Sequence, residues 1–182
     1  MSAARVSYQV LDGRAAARRA EDLLALAHET DSQAGPELDR QFLVWCRQPG
    51  FVLAEARHGG FVVGYASGMP LRPSTSWWRG LTTPLPAEFT AERPGRTFAL
   101  TQLLVRAAWR RQGIATELYR LVMAGRPEER ATLTVPPGAS AAQGAFRAWG
   151  WRKVGRTQGD GPEPAILDVL VTTSLSLPSP GL

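Results

Sequence analysis

The sequence has one cysteine, Cys46, one lysine, Lys153, and two histidines, His28 and His58, in 182 residues. With a single cysteine, no disulfide can close within the chain and no thiol pair can cycle between redox states. One thiol and two distant histidines supply no zinc-ligand spacing, so no metal is expected. Long apolar runs are missing too. No segment reaches the ~20 residues of a membrane span. The opening "MSAARVSYQV" lacks the apolar stretch of a secretory signal. The expected setting is the reducing cytoplasm, without membrane contact.

Arginine is abundant. Of 21 basic residues only Lys153 is not arginine, and the net charge is +5. Such an excess suits a polyanion partner such as nucleic acid. It also suits a coding bias that enriches arginine, alanine, glycine and proline together. The arginines are scattered rather than clustered and do not interleave with aromatics, so nucleic acid is not the expected partner. A chain of this length can bury roughly 70% of its unfolded surface as one domain.

Hydrophobic periodicity divides the chain into strands and helices. Residues 5–11 alternate like a first strand, and Asp12 stands where it would cap the helix behind it. Residues 14–29 are strong helix formers, with Ala16, Ala20, Leu23, Leu24 and Ala27 on one face. Pro36 suits the first turn of a second helix, whose stripe is Leu38, Phe42, Trp45 and Cys46. Cys46 is therefore expected in the core. Residues 51–56 and 61–69 form a hairpin turning at His58-Gly59-Gly60, and both histidines are expected to be solvated. Strand 97–105, helix 113–124, strand 131–135, helix 139–150 and strands 151–157 and 165–173 complete an α+β order. The expected domain spans residues 1–173, with 174–182 as a flexible tail. The proline-rich insert 71–96 carries Trp77 and Trp78. It is expected either to wall an acceptor site or to pack as an ornament on the core.

The stretch "RRQGIA" (110–115) sits between strand 97–105 and the next helix. The first turn of a helix leaves backbone N–H groups unpaired, and its dipole adds positive charge there. Small residues let an anion approach the backbone, and flanking arginines add charge, so the loop reads as a pyrophosphate cradle. Neither G-x-x-x-x-G-K-[ST] nor G-x-G-x-x-G is present.

The stretch resembles the acetyl-CoA loop of the GNAT superfamily of N-acetyltransferases: Arg or Gln, two residues, Gly, one residue, Gly or Ala. Here those are Arg110, Gly113 and Ala115. Gly150-Trp151 is similar to the Gly-aromatic pair that closes the family's last helix. The resemblance implies a mixed central sheet flanked by helices, with splayed central strands. It implies an acyl-CoA-dependent N-acyltransferase that moves acetyl from acetyl-CoA to a primary amine of a small molecule or peptide by direct attack. By position, the Val105 N–H would hold the thioester oxygen. Leu103, Leu104 and Val105 would line the pantetheine, with Leu133-Thr134-Val135 opposite. Arg110, Arg111, Gln112, Gly113, Ala115 and Thr116 would receive the pyrophosphate. Trp77 and Trp78 are the candidates for acceptor contact. A homodimer through the late strands would suit the fold.

Three positions depart from the family. Ala139 stands where many members have an asparagine early in the last helix. Phe146 stands where many members have a tyrosine that protonates the leaving thiolate, so it can offer only apolar surface to the cofactor. Gln102 stands where many have a glutamate base. Ser140, Thr134 and Tyr119 are alternative proton donors, and Glu55, Glu88 and Glu92 alternative bases. These departures leave a non-catalytic acyl-CoA-binding or sensor module as the second reading, with an arginine-rich nucleic-acid binder third.

Overall fold

The computed structural model describes residues 5–31, 34–159 and 164–177. The elements are β1 (Ser7–Asp12), α1 (Gly13–Arg18), α2 (Ala20–Thr30), α3 (Pro36–Cys46), β2 (Val52–His58) and β3 (Phe61–Pro70). They continue with α4 (Ala87–Thr90), β4 (Thr97–Val105), α5 (Ile114–Met123), β5 (Arg130–Val135), α6 (Ser140–Ala148), β6 (Arg152–Gln158) and β7 (Ile166–Thr172). Seven strands make one mixed sheet in the order β1-β2-β3-β4-β5-β7-β6, the α+β class read from the sequence. Pairing is antiparallel at β1·β2, β2·β3, β5·β7 and β6·β7 and parallel at β4·β5. The chain forms two compact units, Met1–Met69 with Leu100–Ala124, and Pro70–Ala99 with Gly125–Leu182.

In the first unit, Leu23, Leu26, Phe42, Phe51, Leu53 and Tyr65 centre the core between α1–α3 and the sheet. Asp12 caps α1 as its position suggested, accepting from Ala15 N at 2.7 Å. The expected single helix over 14–29 is instead two, broken at Arg19. Propensity would carry the helix through. The break accompanies an ion pair between the Arg19 guanidinium and Glu55, a carboxylate buried in β2. Cys46 lies in the core, and burial pushes its thiol up to about 11. His28 is not merely solvated, because its ring meets Asp39 at 2.7 Å and ties α2 to α3. His58 also departs from expectation. Its ring packs on Trp109 with centroids 4.6 Å apart, and its Nδ1 is buried without a partner among the described residues.

In the second unit the insert is ordered. Thr82 N donates to Arg156 O and Gln158 N to Gly80 O, both at 2.9 Å, so the insert lies along β6. Trp78, Leu71, Ala99, Val169 and Val171 form its core. Arg130 of β5 sits over the rings of Trp78 and Phe89, 5.2 and 4.6 Å from their centroids. Its guanidinium meets Glu92 Oε1 at 2.9 Å, and the same oxygen accepts from Trp78 Nε1 and Thr97 Oγ1. The insert thus packs on the core of its unit. Of the expected tail, residues 178–182 lie outside the described residues, while Ser174 N donates to Thr172 Oγ1.

Asp168 of β7 is buried beside three donors: Lys153 Nζ at 2.8 Å, Gln143 Nε2 at 3.0 Å and Arg156 Nε at 3.1 Å. Burial works against its charge, but these donors outweigh it and hold the carboxyl below its ordinary range. A pKa lower in the folded than in the unfolded state stabilises above the unfolded value and is lost as pH falls through the folded one. Asp168→Asn is therefore expected to lower the melting temperature near pH 6. That difference should shrink as the pH falls below about 4, which melts across that range would check.

Candidate active site

The structure builds the "RRQGIA" loop from the end of β4. Arg106 N donates to Val63 O at 2.9 Å, and Arg106 Nε donates to Val62 O at 2.8 Å. Its guanidinium also pairs with Glu29. The strand end is therefore fixed to β3. Gly64 makes this approach possible, because a Cβ there would lie 2.9 Å from Leu104 O and 3.2 Å from Val105 Cγ2. A 3-10 turn, Ala107–Trp109, leads into the loop. Arg110 Nε reaches back to Val105 O at 3.1 Å, and Gln112 Nε2 to Ala108 O at 3.3 Å.

Residues 110–113 are all exposed. Arg111 has φ +64°, the one non-glycine residue with positive φ among those described. An L-residue held there costs about 1–2 kcal/mol, and such strain gathers at binding sites. Gly113, at φ +79°, precedes α5 and gives it no side-chain cap. Nothing lies within 4 Å of where its Cβ would be. Glu117 N bonds Gly113 O at 3.1 Å, so the N–H groups of Ile114, Ala115 and Thr116 precede the first intrahelical bond. An uncapped helix start and its dipole thus lie next to two exposed arginines, an arrangement whose chemistry favours an anion. Ile114, Leu118 and Val122 anchor α5. Tyr119 and Met123 are buried as well, while Leu121 is only half-buried.

The ionisable candidates fare differently. Glu55 is fully buried and paired with Arg19 and with Arg57 Nε, the latter at 3.1 Å. Glu92 is held by Arg130. In each the second carboxylate oxygen, Oε2, is buried without a hydrogen-bond partner among the described residues. Glu88 is exposed on α4, and Tyr119 is fully buried in α5. Phe146 is buried edge-on against Trp149 and Trp151, at 5.6 and 5.8 Å between centroids.

Sequence reasoning missed Tyr65. Its hydroxyl is fully buried in β3 and faces the Gln102 carboxamide. Neither the Tyr65 hydroxyl nor Gln102 Oε1 closes a hydrogen bond of good geometry among the described residues. Burial, opposed by Gln102, pushes the phenol well above its ordinary value. Tyr65 therefore stays protonated, and this polar pair can donate but cannot act as a base.

Of the predicted donor-site residues, Leu103 through Thr116 belong to the first unit, whereas Leu133, Thr134, Val135 and Phe146 belong to the second, as do Trp77 and Trp78. Trp78 is a core residue, 8% exposed, with its N–H committed to Glu92. That burial leaves little of its ring exposed for the acceptor contact expected of it. Trp77 is half-buried, and its Nε1 has no partner among the described residues.

The model of the acetyltransferase (GNAT) family matches residues 18–151. Among curated proteins no sequence matches. The fold is shared with the ribosomal-protein-S18-alanine N-acetyltransferase from Escherichia coli at a TM-score of 0.67 and 10% identity, over 98% of this chain and 99% of that one. The PaiA N-acetyltransferase from Thermoplasma acidophilum, in complex with coenzyme A, gives 0.58 and 10%, over 93% and 99%. A GNAT family acetyltransferase from Elizabethkingia anophelis with acetyl-CoA bound gives 0.59 and 14%, over 93% and 98%. At these identities the likeness is one of fold. Among the described residues no helix is long and apolar enough to cross a membrane.

Proposed function

Because the chain belongs to the acetyltransferase (GNAT) family and so is an acyl-CoA-dependent N-acetyltransferase, we propose that it moves acetyl from acetyl-CoA to the primary amine of a small molecule or peptide by direct attack. The uncapped start of α5, open at Gly113 beside exposed Arg110 and Arg111, carries this reading. In it, the backbone N–H groups of Arg111, Gln112, Gly113, Ala115 and Thr116 receive the pyrophosphate. Arg110 also holds Val105 O and so steadies the strand end. Leu103 and Leu104 lie along the pantetheine, and the Val105 N–H stabilises the oxyanion. Phe146 lends apolar surface only.

The amine lone pair attacks the thioester carbon, and the carbonyl electrons move onto oxygen. As the carbonyl reforms, the C–S bond breaks and CoA leaves as a thiolate. A thiol has a pKa of about 8.5, so the thiolate needs little help to leave. In this reading the amine proton passes to water, since Gln102 and Phe146, at the family's base and acid positions, cannot take it. In this reading the reaction runs in the cytoplasm, which the single free thiol of Cys46 supports.

The test is release of free thiol from acetyl-CoA with a panel of primary amines, alongside melting with acetyl-CoA and with CoA. A melting shift and amine-dependent thiol release are the expected results. No shift and no thiol release would refute the reading. At the acceptor, Trp77→Ala is expected to raise the acceptor KM several-fold with the acetyl-CoA KM unchanged, through loss of an aromatic surface worth about 1 kcal/mol. Unchanged kinetics for both substrates would remove Trp77 from the acceptor site.

A further inference from the structure

A groove in the second unit, separate from the loop before α5, lies between α6 and the strands β6 and β7. Its volume is about 710 Å³, within the range of small-molecule sites. Leu170, Trp151 and Asp168 form its inner surface, and Ser140, Gln143, Gly144 and Arg147 line it from α6. Those helix residues are spaced i, i+3, i+4 and i+7, so they share one face. A Cβ at Gly144 would meet nothing within 4 Å, so the helix wall leaves room. Arg152 and Lys153 line it from β6.

The charges do not cancel. Asp168 is already matched by Lys153 and Arg156. Arg147 and Arg152, one on the helix and one on the strand, form no ion pair among the described residues. Two uncommitted guanidinium groups beside a groove floored by Leu170, Trp151 and the already paired Asp168 suit a ligand with two planar or tetrahedral anionic groups. We propose that this groove is a second, non-catalytic anion site for a small molecule carrying two carboxylate or phosphate groups. It is formed within the second unit and does not depend on the donor reading.

The test keeps the two sites apart. With wild type saturated by CoA, inorganic pyrophosphate and citrate are each titrated to about ten times half-saturation at matched ionic strength, and melting is followed. A further rise of about 3 °C with at least one probe is expected. The arm that responds identifies phosphate or carboxylate as the preferred group. Arg147→Glu/Arg152→Glu should lose that rise but keep the shift produced by CoA, which also reports that the variant is folded. Arg147→Gln/Arg152→Gln serves the same purpose if the glutamate pair does not fold. No rise in wild type with either probe, or a rise that persists in the double variants, would overturn the proposal.

Discussion

Gly113→Glu is expected to raise the KM for acetyl-CoA by about two orders of magnitude while the protein still folds. At φ +79° the new side chain strains the backbone by about 1–2 kcal/mol. A glutamate beside the uncapped helix start also offsets part of that cost through the helix dipole. Its carboxylate then competes for the N–H groups that the pyrophosphate would use and repels the phosphates. A hydrogen bond to a charged group contributes about 1.5–3 kcal/mol, so losing two corresponds to roughly a hundredfold or more. The space around the missing Cβ is open, so no steric clash confounds the result. Gly113→Ala carries the strain without the charge and should change the KM far less. Steady-state kinetics with both variants and their melting curves check this. A glutamate variant that binds acetyl-CoA like wild type would show that α5 does not start at the donor site.

The second large effect concerns stability. Arg130→Met is expected to lower the melting temperature by about 10 °C. Arg130 is 6% exposed and donates to Glu92, Thr97 and the Phe89 carbonyl. Removing one partner of a buried pair costs about 3–5 kcal/mol, because the other charge is left uncompensated. In a chain of this size each kcal/mol shifts melting by about 2–4 °C. Glu92 would keep Trp78 and Thr97 as donors but lose its only cation among the described residues. Arg130→Met with Glu92→Gln should therefore melt higher than Arg130→Met alone, since the uncompensated charge is gone. Differential scanning calorimetry checks both variants. Equal melting temperatures for Arg130→Met and wild type would mean that the pair does not hold the insert.

Local features were legible in the chain. The cap at Asp12, Pro36 at the start of α3, the limits of β4 and the place of Gly113 before α5 follow from neighbours in sequence. Periodicity placed Cys46 in the core. The family loop was readable for the same reason, since an anion cradle at a helix start needs only a few consecutive residues.

Only the tertiary structure decided the remainder. It paired Arg19 with Glu55 and split a helix that propensity favoured. It placed Trp78 and Phe89 against Arg130 and made the insert part of the packing. It set Tyr65 against Gln102, and Arg147 and Arg152 beside one groove. Backbone conformation depends mostly on adjacent residues, so sequence determines it closely. The partner of a buried charge or a hydroxyl lies tens of residues away, and burial raises the cost of leaving it unpaired. That cost exists only once the chain has folded, which is why the sequence determined most of the elements and the local shape of the loop before α5, while the fold decided which side chains are paired.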